Sequence, residues 1–442
     1  MSCIDFIIDD IKAYGDEIAI VTDGKEYTYN DLLSEYEKAL AFLDENKVPD
    51  FSVVALRGEF SPETIGIMLA IIGKNCVYVP VSTAVKKPLK YIEISEVQFY
   101  INDSTVSKYD TVPKHPILTD LIKSKNPGLV LFSSGTTGDP KAAVHNLVPM
   151  LEKYKTKGKK IKSLAFLLFD HIGGFNTVMY NISNGGMLVT LKNRSPEEVA
   201  SYIEKYKLEL LPTSPSFLNM ILYSHIYEKY DLSSLKIISY GTEPMPESTL
   251  KMMHQIFPDV KLKQTYGLSE VGIMRTKSES SDSLWLKLGG DEDHQIKIVD
   301  GILFIKSKMS MLGYLNAPSP FDSDGWMNTK DRVEQKGEYI RILGRESELI
   351  NVGGEKVYPA EVESVLLEVS GVKDAIVGKM SNPILGSVVT CKIAADDGRD
   401  LVELKKTIQK HCAEKLEKFK RPVKIEFQEA SFNTDRFKRI RN

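Results

Sequence analysis

Apolar positions along the first hundred residues switch between two spacings. Ile4, Ile7, Ile8 and Ile11 recur at helical intervals and predict a short amphipathic helix over 4–14. Apolar runs at Ile18–Thr22 and Glu26–Tyr29 flank Asp23-Gly24 and read as a β-hairpin. Asn30 is expected to cap a helix reaching about Glu45. Ser61-Pro62-Glu63 should open another over Ile65–Ile72, with proline in the first turn, where its missing N–H costs nothing. Val53–Leu56 and Val77–Val81 are the strands around it. Short apolar strands alternating with helices predict a mostly parallel sheet covered on both faces.

The theme continues. Leu129–Phe132 and Ser163–Phe169 read as strands, the second followed by a helix over Asn176–Ile182 and a strand at Met187–Leu191. Ser195-Pro196-Glu197-Glu198 carries cap, proline and first-turn acids for a further helix. Leu208–Pro212, Lys236–Tyr240 and Lys261–Thr265 repeat the strand pattern. From Leu284 short alternating runs, Gln295–Val299 and Ile302–Lys306, predict a small β-rich unit. A boundary is expected at Gly344-Arg345, giving units 1–344 and 345–442. The second reads as α+β: a Gly353-Gly354 turn, a helix over Ala360–Glu368, strands at Ala375–Gly378 and Val388–Ala394, a helix over Leu401–Phe419 and a strand at Val423–Phe427.

Composition narrows the function classes. The 442 residues are 42% apolar and 26% charged, as in ordinary globular proteins. A formal charge of −3 offers no electrostatic reason to bind nucleic acid or a membrane surface. The basic run Lys415 to Lys424 reads as a solvated helix end. Cys3, Cys76, Cys391 and Cys412 form no C-x-x-C pair, which argues against structural zinc or a disulfide framework. The start lacks a basic region before its apolar residues, and no run is long enough to span a bilayer. The expectation is a cytoplasmic enzyme.

Chemistry concentrates in four stretches. Leu129–Phe132 runs into Ser133-Ser134-Gly135-Thr136-Thr137-Gly138-Asp139-Pro140-Lys141. Glycines let backbone N–H groups converge on an anion, hydroxyls add donors and lysine adds a point charge, which suits a polyphosphate. A Walker A loop cannot be laid over it. Gln264-Thr-Tyr266-Gly267-Leu268-Ser269-Glu270 follows a strand, where a ligand at the carboxyl edge of a sheet would meet it. Its aromatic can stack on a purine, and its carboxylate can hold Mg²⁺. Asp331 can accept hydrogen bonds from ribose hydroxyls, and Arg345 suits a phosphate. The basic tail ends in Thr434-Asp-Arg436-Phe437-Lys438-Arg439-Ile440-Arg441.

Together these stretches resemble the signatures of the adenylate-forming (AMP-binding) enzymes: acyl- and aryl-CoA ligases, peptide-synthetase adenylation domains and luciferases. The loop 133–141 is similar to [ST]-[SG]-G-[ST]-T-G-x-P-K, and residues 266–270 to Y-G-x-[ST]-E. Gly241-Thr242-Glu243-Pro244 looks like the loop that borders adenine. Gly325-Trp326 to Asp331, Gly344-Arg345 and Gly353 to Glu363 follow the family's G-W-x-x-T-G-D … G-R … G-x-x-V-x-P-x-E-[IV]-E series. The resemblance implies an α/β fold: a large N-terminal domain of two helix-covered, mostly parallel sheets plus a small β-rich subdomain, and a mobile C-terminal α+β domain.

By the same resemblance Tyr266 stacks on adenine beside Gly267, Ser269 faces the α-phosphate and Glu270 ligates Mg²⁺. Lys141 and Lys438 neutralise charge while ATP activates a carboxylic acid as its acyl-adenylate, releasing pyrophosphate. The C-terminal domain then rotates and admits a phosphopantetheine thiol. Phe169-Asp170-His171-Ile172-Gly173 corresponds to the segment lining the acid pocket, where Asp170 either holds a substrate ammonium or caps the next helix, and His171 is a pocket wall. The thiol acceptor is CoA or a carrier protein, with a slight preference for carrier loading or amino-acid activation. Several positions depart from the pattern. Arg436 and Phe437 replace Ser/Thr and Gly, Arg439 replaces an aliphatic, Lys330 replaces a glycine and Ser347 stands at the hinge. Phe437 motivates the rival reading, a nucleotide-binding homologue that has lost catalysis.

Overall fold

Alternation of strand and helix builds two large sheets. The computed structural model describes residues 2–133, 140–290 and 293–428. Its strands begin β1 (Ile18–Thr22), β2 (Lys25–Thr28), β3 (Val53–Gly58), β4 (Val77–Ser82), β5 (Phe99–Asn102), β6 (Thr105–Lys108) and β7 (Gly128–Ser133). They continue with β8 (Lys141–Asn146), β9 (Lys162–Leu164), β10 (Met187–Val189), β11 (Leu210–Thr213), β12 (Ile237–Tyr240) and β13 (Lys261–Gln264). One sheet has the order β13-β12-β11-β9-β10-β1-β2 and is parallel except for the hairpin partner β2. The other runs β8-β7-β4-β3-β5-β6, with a parallel β7-β4-β3-β5 centre flanked by antiparallel β8 and β6. Far along the chain, Gly313–Tyr314 returns to pair with β8.

Helices fill the space against these sheets. The helix Pro62–Gly73 buries residues on almost every face, including Ile65, Met68, Leu69 and Ile72, as its near-continuous apolar sequence requires. A six-stranded sheet occupies residues 276–345 and realises the expected β-rich unit. A last sheet joins Ile350–Val352, Glu355–Val357, Val372–Asn382, Gly386–Ala395 and Lys424–Phe427, and has its own apolar core around Val362, Leu366 and Ile408. It meets the rest of the chain through buried serines: Ser248 N donates to Ser364 Oγ at 3.0 Å, and Ser248 Oγ to Ser364 O at 2.8 Å.

Three local expectations need correction. The helix Tyr29–Glu45 is capped by Thr28 rather than Asn30. Thr28 Oγ1 accepts from Asp31 N at 3.1 Å while Asp31 Oδ2 accepts from Thr28 N at 2.7 Å, a reciprocal capping box. Asn30 instead donates from Nδ2 to Asp16 Oδ1 at 2.9 Å. The strand expected over Ser163–Phe169 ends at Leu164, because its neighbour β10 is only three residues long. The helix after it begins at Ile172 rather than Asn176. Thr28→Ala should therefore lower stability by about 1 kcal/mol, and Asn30→Ala by about 0.5 kcal/mol or less. Urea unfolding midpoints of the two variants check the assignment.

Candidate active site

Parallel strands align their carboxyl ends, so the loops that leave them share one edge. β7 ends at that edge with Ser133, and the described chain resumes at Pro140 and runs back as β8, with Lys141 the register partner of Ser133. Ser134, Gly135, Thr136, Thr137 and Gly138 lie outside the described residues, as does Lys438 with the whole tail. The loop's exit is held by Asn316, whose Nδ2 donates to Pro140 O at 2.9 Å and whose Oδ1 accepts from Ala142 N at 3.0 Å. Lys141 Nζ lies 5.5 Å from the centre of the Tyr314 ring.

At the end of β13 the chain enters Tyr266 and a small hairpin, Gly267–Leu268 against Gly272–Ile273, whose turn carries Ser269 and Glu270. The Glu270 carboxylate accepts a hydrogen bond from the Tyr314 hydroxyl, and Glu270 O accepts one from Met311 N at 2.8 Å. Lys141, Ala143 and His145 share one face of β8 by strand alternation. His145 is fully buried and its polar neighbour is the Ser269 backbone, although neither ring nitrogen meets full hydrogen-bond geometry. Burial pushes the imidazole down to about 4, with Ser269 opposing. It is neutral at pH 7.

The neighbouring loop after β12 comes equally close. A side chain at Gly241 would place its Cβ 2.5 Å from Thr265 Oγ1 and 2.8 Å from Thr265 O. Only glycine lets the two strand ends approach this way. Thr242 follows with φ +73°. Glu243 Oε1 then accepts from Ser216 N at 2.7 Å, at the start of the helix Pro215–Ser224, and Pro244 follows.

Asp331 and Arg345 are cross-strand partners between Met327–Lys336 and Tyr339–Arg345, with Asp331 Oδ1 3.4 Å from Arg345 Nε. Tyr266 donates its hydroxyl to Asp331 Oδ2 at 2.5 Å. Burial raises the Asp331 carboxyl above its ordinary range, opposed first by Arg345 and then by the Tyr266 hydrogen bond. Asp331 shares the buried face of its strand with Met327, Thr329 and Val333, beside a β-bulge. Ile302 pairs with Arg332 but Phe304 with Asn328, so the strand carrying Asp331 has extra residues there. Lys330 sits in the bulge with φ +62°, and Thr329 anchors it by donating to Leu303 O at 2.7 Å.

In the acid-pocket segment, Phe169 packs edge-on against Phe60 and Tyr78, with ring centres 5.2 and 6.4 Å apart. His171, not Asp170, caps the helix Ile172–Ser183: its Nδ1 accepts from Gly173 N at 3.0 Å. Asp170 is buried, with Tyr78 and Arg194 in its electrostatic field. Arg194 leaves β10 at the same edge and donates from Nε to Phe166 O at 2.6 Å. At Gly174 a Cβ would lie 2.0 Å from Leu168 O, so the helix can start here only on glycine. Tyr314, Asn316 and His145 were not singled out from sequence. Only the alternation Lys141, Ala143, His145 could have signalled the last, and a two-residue strand has no period to detect.

Among the described residues no cluster of three or more His, Cys, Asp or Glu is placed to hold a metal. Among the described residues Glu270, across the Tyr314 ring from Lys141, offers a hard oxygen. That donor set suits Mg²⁺, which takes one or two carboxylates plus substrate phosphates. No helix among the described residues is long and apolar enough to cross a membrane.

Two measurements test this geometry. Lys330→Gly should raise stability by up to about 1 kcal/mol, since relief of a left-handed lysine outweighs the added chain entropy. Nucleotide affinity should be unchanged, as read by thermal shift with and without ATP. His145 takes up a proton near 6.5 when unfolded but only near 4 when folded. Acid therefore favours the unfolded chain: stability should fall by about 3 kcal/mol as pH drops from 6.5 to 4. His145→Gln should remove that share of the acid sensitivity in denaturant titrations across the same range.

Residues 92–315 match the model of the AMP-binding enzyme family, and residues 361–438 that of the AMP-binding enzyme C-terminal domain. The chain is 30% identical to acyl-CoA synthetase 7 of Caenorhabditis elegans over 375 residues, covering 76% of this chain and 69% of that protein. It is 24% identical over 436 residues to an indoleacetate–CoA ligase of Aromatoleum aromaticum, covering 85% of each. The fold of the anthranilate CoA ligase AuaEII, solved with anthranoyl-AMP, superposes with a TM-score of 0.83 at 19% identity, covering 99% of this chain and 95% of that one. The chain belongs to the AMP-binding family of adenylate-forming enzymes and is an acid-activating ligase.

Proposed function

We propose that this ligase activates a carboxylic acid lacking an α-ammonium group as its adenylate and passes the acyl group to the thiol of coenzyme A. One observation carries the reading. Lys141, Glu270 and the Tyr266–Asp331–Arg345 group are brought by different strands to one site. The acid's carboxylate attacks the α-phosphorus of ATP; the P–O bond to the β-phosphate breaks and pyrophosphate leaves with the electron pair. Ser133 and the residues of loop 134–139 hold the departing phosphates with Lys141. Asp331 takes the ribose hydroxyls, Arg345 a phosphate, and Tyr266 the adenine face. Lys438 bridges the carboxylate and the α-phosphate. Positioning and charge neutralisation account for the rate. Glu270 would hold Mg²⁺, which supplies neutralisation of phosphate charge.

Asp170 argues for the acid class. Arg194, whose carboxylate neighbours are Glu59, Glu198 and, least of the three, Asp170, puts a guanidinium within the field of Asp170 that would oppose a substrate ammonium. Phe169, His171 and Gly173 then form a pocket wall for an uncharged acyl or aryl group. CoA as acceptor is supported by the ligases this chain resembles. The boundary at Gly344-Arg345 is taken as the point about which the C-terminal domain turns.

ATP–pyrophosphate exchange over fatty, aryl and amino acids tests the reading, followed by mass measurement of CoA and of carrier proteins as acceptors. Exchange is expected with acyl or aryl acids, and acyl transfer to free CoA. Exchange confined to amino acids would defeat the acid assignment, and measurable ATP binding with no exchange would favour lost catalysis. Lys438→Ala should cut adenylate formation by 10²-fold or more, on the order of one lost charge contact in the transition state. It should spare thioester formation from pre-made adenylate. Equal loss of both half-reactions would count against a rotating C-terminal domain.

A further inference from the structure

Lys141 and Glu270 come from segments that no strand pairing joins directly. What joins them is Met311–Asn316. Its backbone pairs with β8, Tyr314 opposite Ala143 and Gly313 opposite Val144, and Leu315 N donates to Ala142 O at 3.0 Å. Asn316 closes on Pro140 and Ala142, on either side of Lys141. At the other end Met311 N holds the main chain of Glu270. Tyr314 lies between the two charges, its ring against the Lys141 ammonium and its hydroxyl on Glu270 Oε1.

We propose that Tyr314 is a positioning residue for the metal–nucleotide complex, fixing the Glu270 carboxylate so that its second oxygen is presented to a divalent cation while keeping Lys141 apart for phosphate. The inference deepens the function proposed above and rests on Glu270 as the metal ligand.

An ionised carboxylate only accepts hydrogen bonds, and a flexible glutamate loses rotamer freedom when it takes a ligand. A charge-assisted bond from a phenol meets part of that loss beforehand and leaves Oε2 without a hydrogen-bond partner among the described residues. The identity of the donor matters. A lysine or arginine at this place would cancel the charge the cation needs, whereas a neutral phenol leaves it intact. A tyrosine hydroxyl keeps its proton at neutral pH and so serves as the donor here. The ring has a second consequence. Lys141 rests on an aromatic face and forms no ion pair with Glu270 among the described residues, although the two groups flank the same tyrosine. Opposite charges that would otherwise collapse onto each other stay available for separate ligands.

Calorimetric titration of ATP with and without Mg²⁺ tests this on the full chain. Tyr314→Phe keeps the ring and removes the hydroxyl. It should reduce the Mg²⁺-dependent gain in ATP affinity about tenfold, as for lost partners of metal-binding carboxylates, and leave metal-free affinity within about twofold. Glu270→Gln should lose the same gain, and the double variant no more than Glu270→Gln alone. A full Mg²⁺ gain in Tyr314→Phe would overturn the inference, as would an equal loss of metal-free affinity, which marks general packing. A wild-type chain that binds ATP but gains nothing from Mg²⁺ would instead remove Glu270 as metal ligand, and the inference with it.

Discussion

Parallel pairing decides where this molecule can do chemistry. In β9 to β13 every strand runs the same way, so Asp170, Arg194, Gly241 and Tyr266 all emerge at one edge. In the second sheet β7 runs parallel to β4, which puts Ser133 at the carboxyl edge with Glu59 and Ser82. Sheet interiors have every backbone group paired, so polar chemistry belongs in these loops. The helices contribute burial, and the edges contribute function.

Charged groups at that edge are held by neutral partners as well as by one another. Asp331 is buried and takes a tyrosine hydroxyl on one oxygen, with the half-exposed Arg345 near the other. Glu270 takes a second tyrosine in the same manner. A phenol orients a carboxylate without bringing a compensating charge, as a cation would. A buried salt bridge in their place would use up charge against desolvation and leave less for a nucleotide. The site is therefore arranged around carboxylates whose oxygens are oriented by neutral donors.

Local chemistry was legible wherever neighbours in sequence determine it. Ser61-Pro62 and Ser195-Pro196 start helices as read, since cap and proline act within one turn. The hairpin of β1 and β2 follows from Asp23-Gly24. Near misses have local causes too. Thr28 outcompetes Asn30 because Asp31 completes the box only at that spacing, and a histidine ring can cap as well as an aspartate. Tyr266 and Asp331 were readable as motifs and the family resemblance implied a common site, but the hydrogen bond between them was not readable. Tyr314 became visible only when Gly313–Tyr314 paired with β8 across some 170 residues of chain. No periodicity encodes a contact at that distance.

The contact between residues 350–427 and the rest of the chain has a different character from either core. Its polar bonds include the Ser248–Ser364 pair and those from Asn219 Nδ2 to Lys373 O at 2.9 Å and Asp374 Oδ1 at 3.5 Å. Each contributes about 1 kcal/mol net, because water replaces it when the surfaces part. Val362, Leu366 and Ile408 bury apolar side chains inside the module itself, and no solvent compensates for exposing those. The module therefore keeps a core of its own, and it meets the rest of the chain by packing of its helix Pro359–Leu367 on Glu247–Ile256 as well as by these exchangeable bonds.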